Sequence, residues 1–205
     1  MGQYRVHNLW PIPIFHRNFT VKDEWKKQTL EFEYHRMPIN NGDISVDKYI
    51  LDKMPSLKKE IENNCELYVR NYLKVKDNAK FYIQNSWINI HNENEYSQIH
   101  HHGGSIFSGV YYPIFPKNSG NISFVKNHLW NNIFHSNIRI EYDDHNNLTG
   151  DQYEIEITEG DLVMFPSHLE HRVNSNKSNQ KRYSLAFNFF VRGKLGKEEY
   201  EQDIK

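Results

Sequence analysis

From Pro55 to Val75 the apolar positions Leu57, Ile61, Cys65, Tyr68, Val69, Tyr72 and Leu73 recur at intervals of three and four, which aligns them on one face of an α-helix. Proline is tolerated in a first helical turn, so Pro55 fits the start of one long helix in the N-terminal half. Ahead of it, residues 1 to 20 read as an extended arm. Leu9, Trp10, Ile12, Ile14 and Phe15 are interrupted there by Pro11 and Pro13, and proline lacks the N–H that an interior strand must donate, so the arm suits a sheet edge. After Asn78 the pattern changes to short β-type runs: Phe81–Gln84, Ser86–His91, Ile106–Phe115, Ile122–Val125, Ile138–Tyr142, Tyr153–Ile157, Leu162–Phe165 and Tyr183–Val191. Short strands separated by turn residues predict a mainly β chain of jelly-roll type, with the helix packed on the sheet.

At 205 residues and 38% hydrophobic content, one domain with a sizeable core is expected over 1–205, made of arm and helix (1–80), β-barrel core (81–193) and tail (194–205). The formal charge of −1 gives no whole-chain pull toward nucleic acid or an acidic membrane surface. Cys65 is the only cysteine, which excludes an internal disulfide, and its helical spacing suits a small buried residue. The first residues lack a cationic start followed by a long apolar run, and no window approaches a membrane span, so a cytoplasmic protein is expected. The abundant asparagine fits an AT-rich genome such as that of a phage or a marine bacterium, and for a phage the location is the host cytoplasm. From Glu141 to Asp161 there are eight acidic residues and no Lys or Arg, the composition of a solvated hairpin.

The chemistry concentrates in four places. In an extended strand, His100 and His102 point to one face and present two imidazoles side by side, with His101 on the other. A chance surface cluster, a structural zinc site and a catalytic metal face compete here; structural zinc normally takes four protein ligands, often cysteines, and the lone Cys65 lies far upstream. His171 would complete a three-nitrogen face, with His168 as its local competitor. Eleven positions beyond His171 comes Arg182, on a strand whose one side is Arg182, Ser184, Ala186, Asn188 and Phe190 and whose other is Tyr183, Leu185, Phe187, Phe189 and Val191. Burying the apolar side turns the arginine side either to water, as a surface arginine on an edge strand, or into a polar interior, where a guanidinium needs a carboxylate that this strand does not supply. Asn89 and His91 share a face of their own strand, placed to hydrogen-bond the same ligand. The constellation reads as iron plus a dicarboxylate.

With these residues in view, the chain resembles the 2-oxoglutarate and Fe(II)-dependent dioxygenases, in particular a branch of uncharacterised bacterial and phage members. The resemblance covers Leu9–Ile14, Tyr49–Asp52 and Ser86–Asn89, and is densest in His100–His102, Ser108–Tyr112, Phe165–His171 and Arg182–Asn188. It implies a double-stranded β-helix of cupin-like type in which His100, His102 and His171 hold Fe(II), and Arg182 with Ser184 grips the distal carboxylate of 2-oxoglutarate, with Asn89, His91 or Tyr112 touching the same co-substrate. It also implies consumption of O2, release of succinate and CO2, and hydroxylation of a protein side chain or a small molecule. The wider superfamily carries a carboxylate where this chain has His102, which leaves more positive charge on the metal and makes Glu95 or water the competing ligand. Two other functions stay open: a three-histidine cupin-like dioxygenase that does not use 2-oxoglutarate, and a non-catalytic jelly-roll binding module. Nucleobase repair is disfavoured because no basic stripe with interleaved aromatics is found. The apolar arm at residues 9–15 would serve a homodimer contact.

Overall fold

A computed structural model of the chain describes residues 5–7, 9–38, 41–126 and 140–205. In chain order the elements are β1 (Phe15–Asn18), α1 (Asp23–Glu31), β2 (Tyr34–Met37), β3 (Gly42–Ser45), α2 (Pro55–Glu66), β4 (Lys80–His91), β5 (Ser97–His100), β6 (Phe107–Ile114), β7 (Ile122–Val125), β8 (Gln152–Ile155), β9 (Asp161–Pro166), β10 (His171–Val173), β11 (Arg182–Leu195) and β12 (Gln202–Ile204). The strands form two antiparallel sheets: a major one in the order β1-β9-β6-β11-β4-β3-β2, with β12 on the end of β11, and a minor one in the order β5-β10-β7-β8. This is a mainly β, double-stranded β-helix.

Alternation along the strands assigns every layer. Tyr111 of β6, Leu162 and Met164 of β9, and Leu185, Phe187 and Phe189 of β11 lie on the outer face of the major sheet, where they pack with Leu57, Ile61 and Cys65 of α2 and with Trp25 of α1. Their sequence neighbours Val110, Tyr112, Val163 and Phe165 point between the sheets and meet Ile122 and Phe124 of β7. Burying a side chain of this size is worth ~1.5–3 kcal/mol, so the helical layer anchors one side of β11 while its other side is left for polar residues.

Several expectations are corrected. The two strands expected around Asn85 are one: Asn188 faces Asn85 and Phe189 faces Ile83, so Gln84 is an extra residue in a β-bulge that only mimics a turn. The helix expected to reach Val75 is α-helical to Glu66 and then widens into a π-type turn over Leu67–Tyr72. The pattern over Asp23–Glu31 gave no helix because only Trp25 and Thr29 of that segment are buried; acidic Asp23 and Glu24 in its first turn suit the positive end of the helix dipole. The arm enters the sheet, at its edge, only from Phe15 onward. The segment expected as a tail carries β12, which pairs Ile204 with Gly193. The strand expected at Ile138–Tyr142 falls partly outside the described residues, and residues 140–142 are not in a strand.

Candidate metal centre

His100 ends β5 directly opposite His171 of β10, which brings their ring centroids to 4.3 Å. His102 lies two residues past the end of β5, so simple strand alternation does not place it. Its backbone N–H donates to the Ser167 carbonyl at 2.9 Å, and its ring stacks on Trp87 at 5.6 Å. Its centroid is then 5.3 Å from that of His100 and 5.2 Å from that of His171. One ring nitrogen from each of the three histidines falls within 4.8 Å of the others.

The hydrogen bonds decide which nitrogen each ring offers. Nδ1 of His100 meets the Gln98 carbonyl at 2.7 Å, Nδ1 of His171 the Leu169 carbonyl at 2.9 Å, and Nδ1 of His102 the Oδ1 of Asn188 at 2.6 Å. A carbonyl oxygen can only accept, so each Nδ1 carries the proton and each Nε2 keeps its lone pair. Asn188 is itself fixed: its Oδ1 also accepts from Ser108 at 2.8 Å, and its Nδ2 donates to Asn85 at 2.9 Å. Burial, reinforced by His100, holds the His171 imidazole down at about 3, and burial likewise lowers His102. The His102 and His171 rings are therefore neutral at ordinary pH, the form that binds a metal.

Arg182 is fully buried between the sheets. Its Nη1 donates to the Ser119 carbonyl, to that of Gly120 at 2.8 Å and to that of Asn174 at 3.1 Å. Gly120 is required here: its φ is +88°, and a Cβ on it would stand 2.2 Å from the Asn174 oxygen. Nε and Nη2 of Arg182, the Tyr112 hydroxyl and the Ser119 hydroxyl are buried with no hydrogen-bond partner. Burial lowers the guanidinium to about 10, still charged at neutral pH, and burial raises Tyr112, which stays protonated. A cation with two open N–H groups is what a carboxylate satisfies bidentately. The cavity of about 390 Å³ is lined by all three histidines, Asn89, Tyr112 and Ser184; among the described residues no Asp or Glu lies on its wall, and Arg182 lies behind it. The residues present thus fit a metal on the histidines and an anion against Arg182.

Other expected residues lie elsewhere. His91 stands off the cavity wall, its Nε2 3.1 Å from the hydroxyl of Ser97, which does line it. Glu95 is held by Arg36 and by the backbone and side chain of Asn92, which removes it as a competing ligand. His168 and His101 are exposed. Sequence reasoning placed Asn188 on the inward face without a role, and missed Lys48 on the cavity wall.

Residues 85–188, half of the chain, match a family model described as "Putative 2OG-Fe(II) oxygenase". Among curated proteins no match is found. Solved structures share the fold at low identity. HygX from Streptomyces hygroscopicus, with nickel and 2-oxoglutarate bound, is 9% identical, with 87% of this chain and 82% of that one covered at a TM-score of 0.58. An oxidoreductase of the 2OG-Fe(II) oxygenase family from Burkholderia pseudomallei is 12% identical, covering 81% and 75% at 0.56. A prolyl-4-hydroxylase from Pseudomonas putida is 13% identical, covering 86% and 92% at 0.51. With the matched segment running from Asn85 through the histidines and Arg182 to Asn188, the chain belongs to the 2OG-Fe(II) oxygenase family.

Proposed function

We propose that the protein is an Fe(II)- and 2-oxoglutarate-dependent dioxygenase that hydroxylates a small molecule or a protein side chain. His100, His102 and His171 hold the iron, Arg182 and Ser184 receive the distal carboxylate of 2-oxoglutarate, and Asn89 and Tyr112 hydrogen-bond the same co-substrate. The observation that carries this reading is the joint presence of three histidines, all with Nδ1 engaged, and of a buried arginine with unpartnered Nε and Nη2, two residues along β11 from the Ser184 that lines the same cavity. When bound, iron and 2-oxoglutarate supply the oxidising chemistry, in which O2 and 2-oxoglutarate give succinate and CO2 as one oxygen atom enters a substrate C–H bond.

The chain's own residues set the geometry. Arg182 neutralises one end of the dianion from a fully buried position, and the buried Tyr112 donates a hydrogen bond to the same carboxylate without releasing its proton. Ser184 and Asn89 are register partners on β11 and β4, so their side chains stand side by side on the cavity wall, where both meet the co-substrate. A three-histidine dioxygenase that does not use 2-oxoglutarate, or a non-catalytic module, would leave Arg182 without its counter-charge. The test is anaerobic loading with Fe(II) followed by 2-oxoglutarate, read by the visible metal-to-ligand charge-transfer band. The band should form in the unsubstituted protein, weaken in Arg182→Ala and vanish in His171→Ala; a folded, metal-loaded protein without a band contradicts the proposal.

A further inference from the structure

Lys48 is the one Lys or Arg on the cavity wall among the described residues, and the proposed chemistry gives it no task. Its position is fixed at both ends. Its carbonyl accepts the Ser86 N–H at 2.8 Å, and its ammonium folds back to donate to the Ser45 carbonyl. Ser45 is pinned in turn, because its hydroxyl accepts the Ile88 N–H at 3.1 Å. The adjoining Asp47 acts on Lys48 as a nearby charge, but its direct partners are Lys53 at 2.6 Å and the Tyr49 N–H. The ammonium is thus held half-buried, with one N–H spent on a neutral carbonyl and, among the described residues, no carboxylate on the wall to meet it.

The register of the sheet separates this cation from Arg182. Ser86, Trp87 and Ile88 pair with Phe187, Ala186 and Leu185 of β11. Lys48 is therefore level with residues three to five positions beyond Arg182, about 10–16 Å along the strand. Arg182 does not lean toward it, since its guanidinium is tied to carbonyls of Ser119, Gly120 and Asn174. A five-carbon dicarboxylate spans only ~6 Å from its bond lengths, so its end on Arg182 and the lysine are different places. Lys48 instead stands at the level of Trp87, whose ring stacks on His102, at the metal end of the cavity.

We propose that Lys48 is the recognition point for the primary substrate, and that this substrate is a small molecule bearing a single carboxylate. This rests on the dioxygenase reading of the same site. One lysine balances one negative charge; a phosphate monoester, with close to two charges and three acceptor oxygens, would be left under-compensated here. The indole face of Trp87 supplies the apolar surface beside the charge, and the carboxylate on Lys48 leaves the carbon chain to run toward the histidines.

The test uses the full chain loaded with Zn(II) and 2-oxoglutarate, and three- to six-carbon monocarboxylic acids paired with their carboxamides, read by saturation-transfer NMR. The acids should bind at least tenfold more tightly than the amides in the unsubstituted protein. Lys48→Met and Lys48→Gln should both bring the pairs to parity, Lys48→Arg should restore the preference, and the Kd for 2-oxoglutarate should change less than twofold throughout. Acids binding no better than amides, a preference that survives Lys48→Met and Lys48→Gln, or loss of 2-oxoglutarate affinity in those variants would overturn the proposal. Failure of the underlying dioxygenase reading is separately visible, as absence of 2-oxoglutarate binding to the unsubstituted protein.

Discussion

Asn188 does for His102 what backbone carbonyls do for His100 and His171, and it is the one of the three acceptors that a substitution can remove. Asn188→Ala should lower metal affinity by about 10–100-fold, the usual effect of deleting a hydrogen bond behind a ligating imidazole, and Asn188→Asp should restore most of it, by competition with a chelator. His171 gives a pH prediction for the metal-free protein. Its folded imidazole stays neutral down to about 3 while the unfolded one takes a proton near 6.5, so between those values the unfolded chain binds more protons. Stability then rises with pH across that window and is lost as pH falls through it. The Tm of metal-free protein should drop between pH 7 and pH 5, and the drop should flatten in His171→Asn; a slope that does not change contradicts the buried neutral form. At this scale the histidines and Arg182 were legible because their residue types announce chemistry. Asn188 and Lys48 were not, since an amide on an inward face and a solitary lysine carry no signal until their partners are known.

Strand β11 carries the fold on one side and the site on the other, and this two-faced character could be read from its alternation alone. The loops that complete the site could not. Gly120 sits in a segment with no periodicity, yet two of the three carbonyls that hold Arg182 come from Ser119 and Gly120 and the third from Asn174. Gly120→Ala, with a Cβ 2.2 Å from the Asn174 oxygen, must push these segments apart. It should reduce 2-oxoglutarate affinity at least tenfold while metal affinity stays within about twofold, measured by separate titrations; equal losses of both would mean that the loop supports the whole cavity and not the arginine alone. The misplaced break near Asn85 has a similar origin. A bulge and a turn look alike in one sequence, and only pairing with Asn188 and Phe189 tells them apart. His102 illustrates the same limit, as it reaches the histidine cluster through a backbone bond to Ser167 beyond the strand from which its position was argued.

The molecule as a whole separates stability from function by layer: the helices pack on the outer face of the major sheet, and the polar site lies between the sheets. Arg182 joins the two, because a buried cation with open N–H groups destabilises the empty protein and stabilises the bound one. Arg182→Met should therefore raise the Tm without 2-oxoglutarate and abolish the rise that 2-oxoglutarate produces. That rise corresponds to ~2.7 kcal/mol for ligand at a hundred times its Kd. A variant less stable than its parent in the absence of ligand would show that the arginine serves the scaffold. In the proposed function, His102 takes the place of a carboxylate as the third protein ligand. X-ray absorption on the anaerobic Fe(II)-loaded protein counts the imidazoles directly. Three are expected in the unsubstituted protein and two, with weakened metal retention, in His102→Ala; two imidazoles in both, with metal content unchanged, would exclude His102 as a ligand.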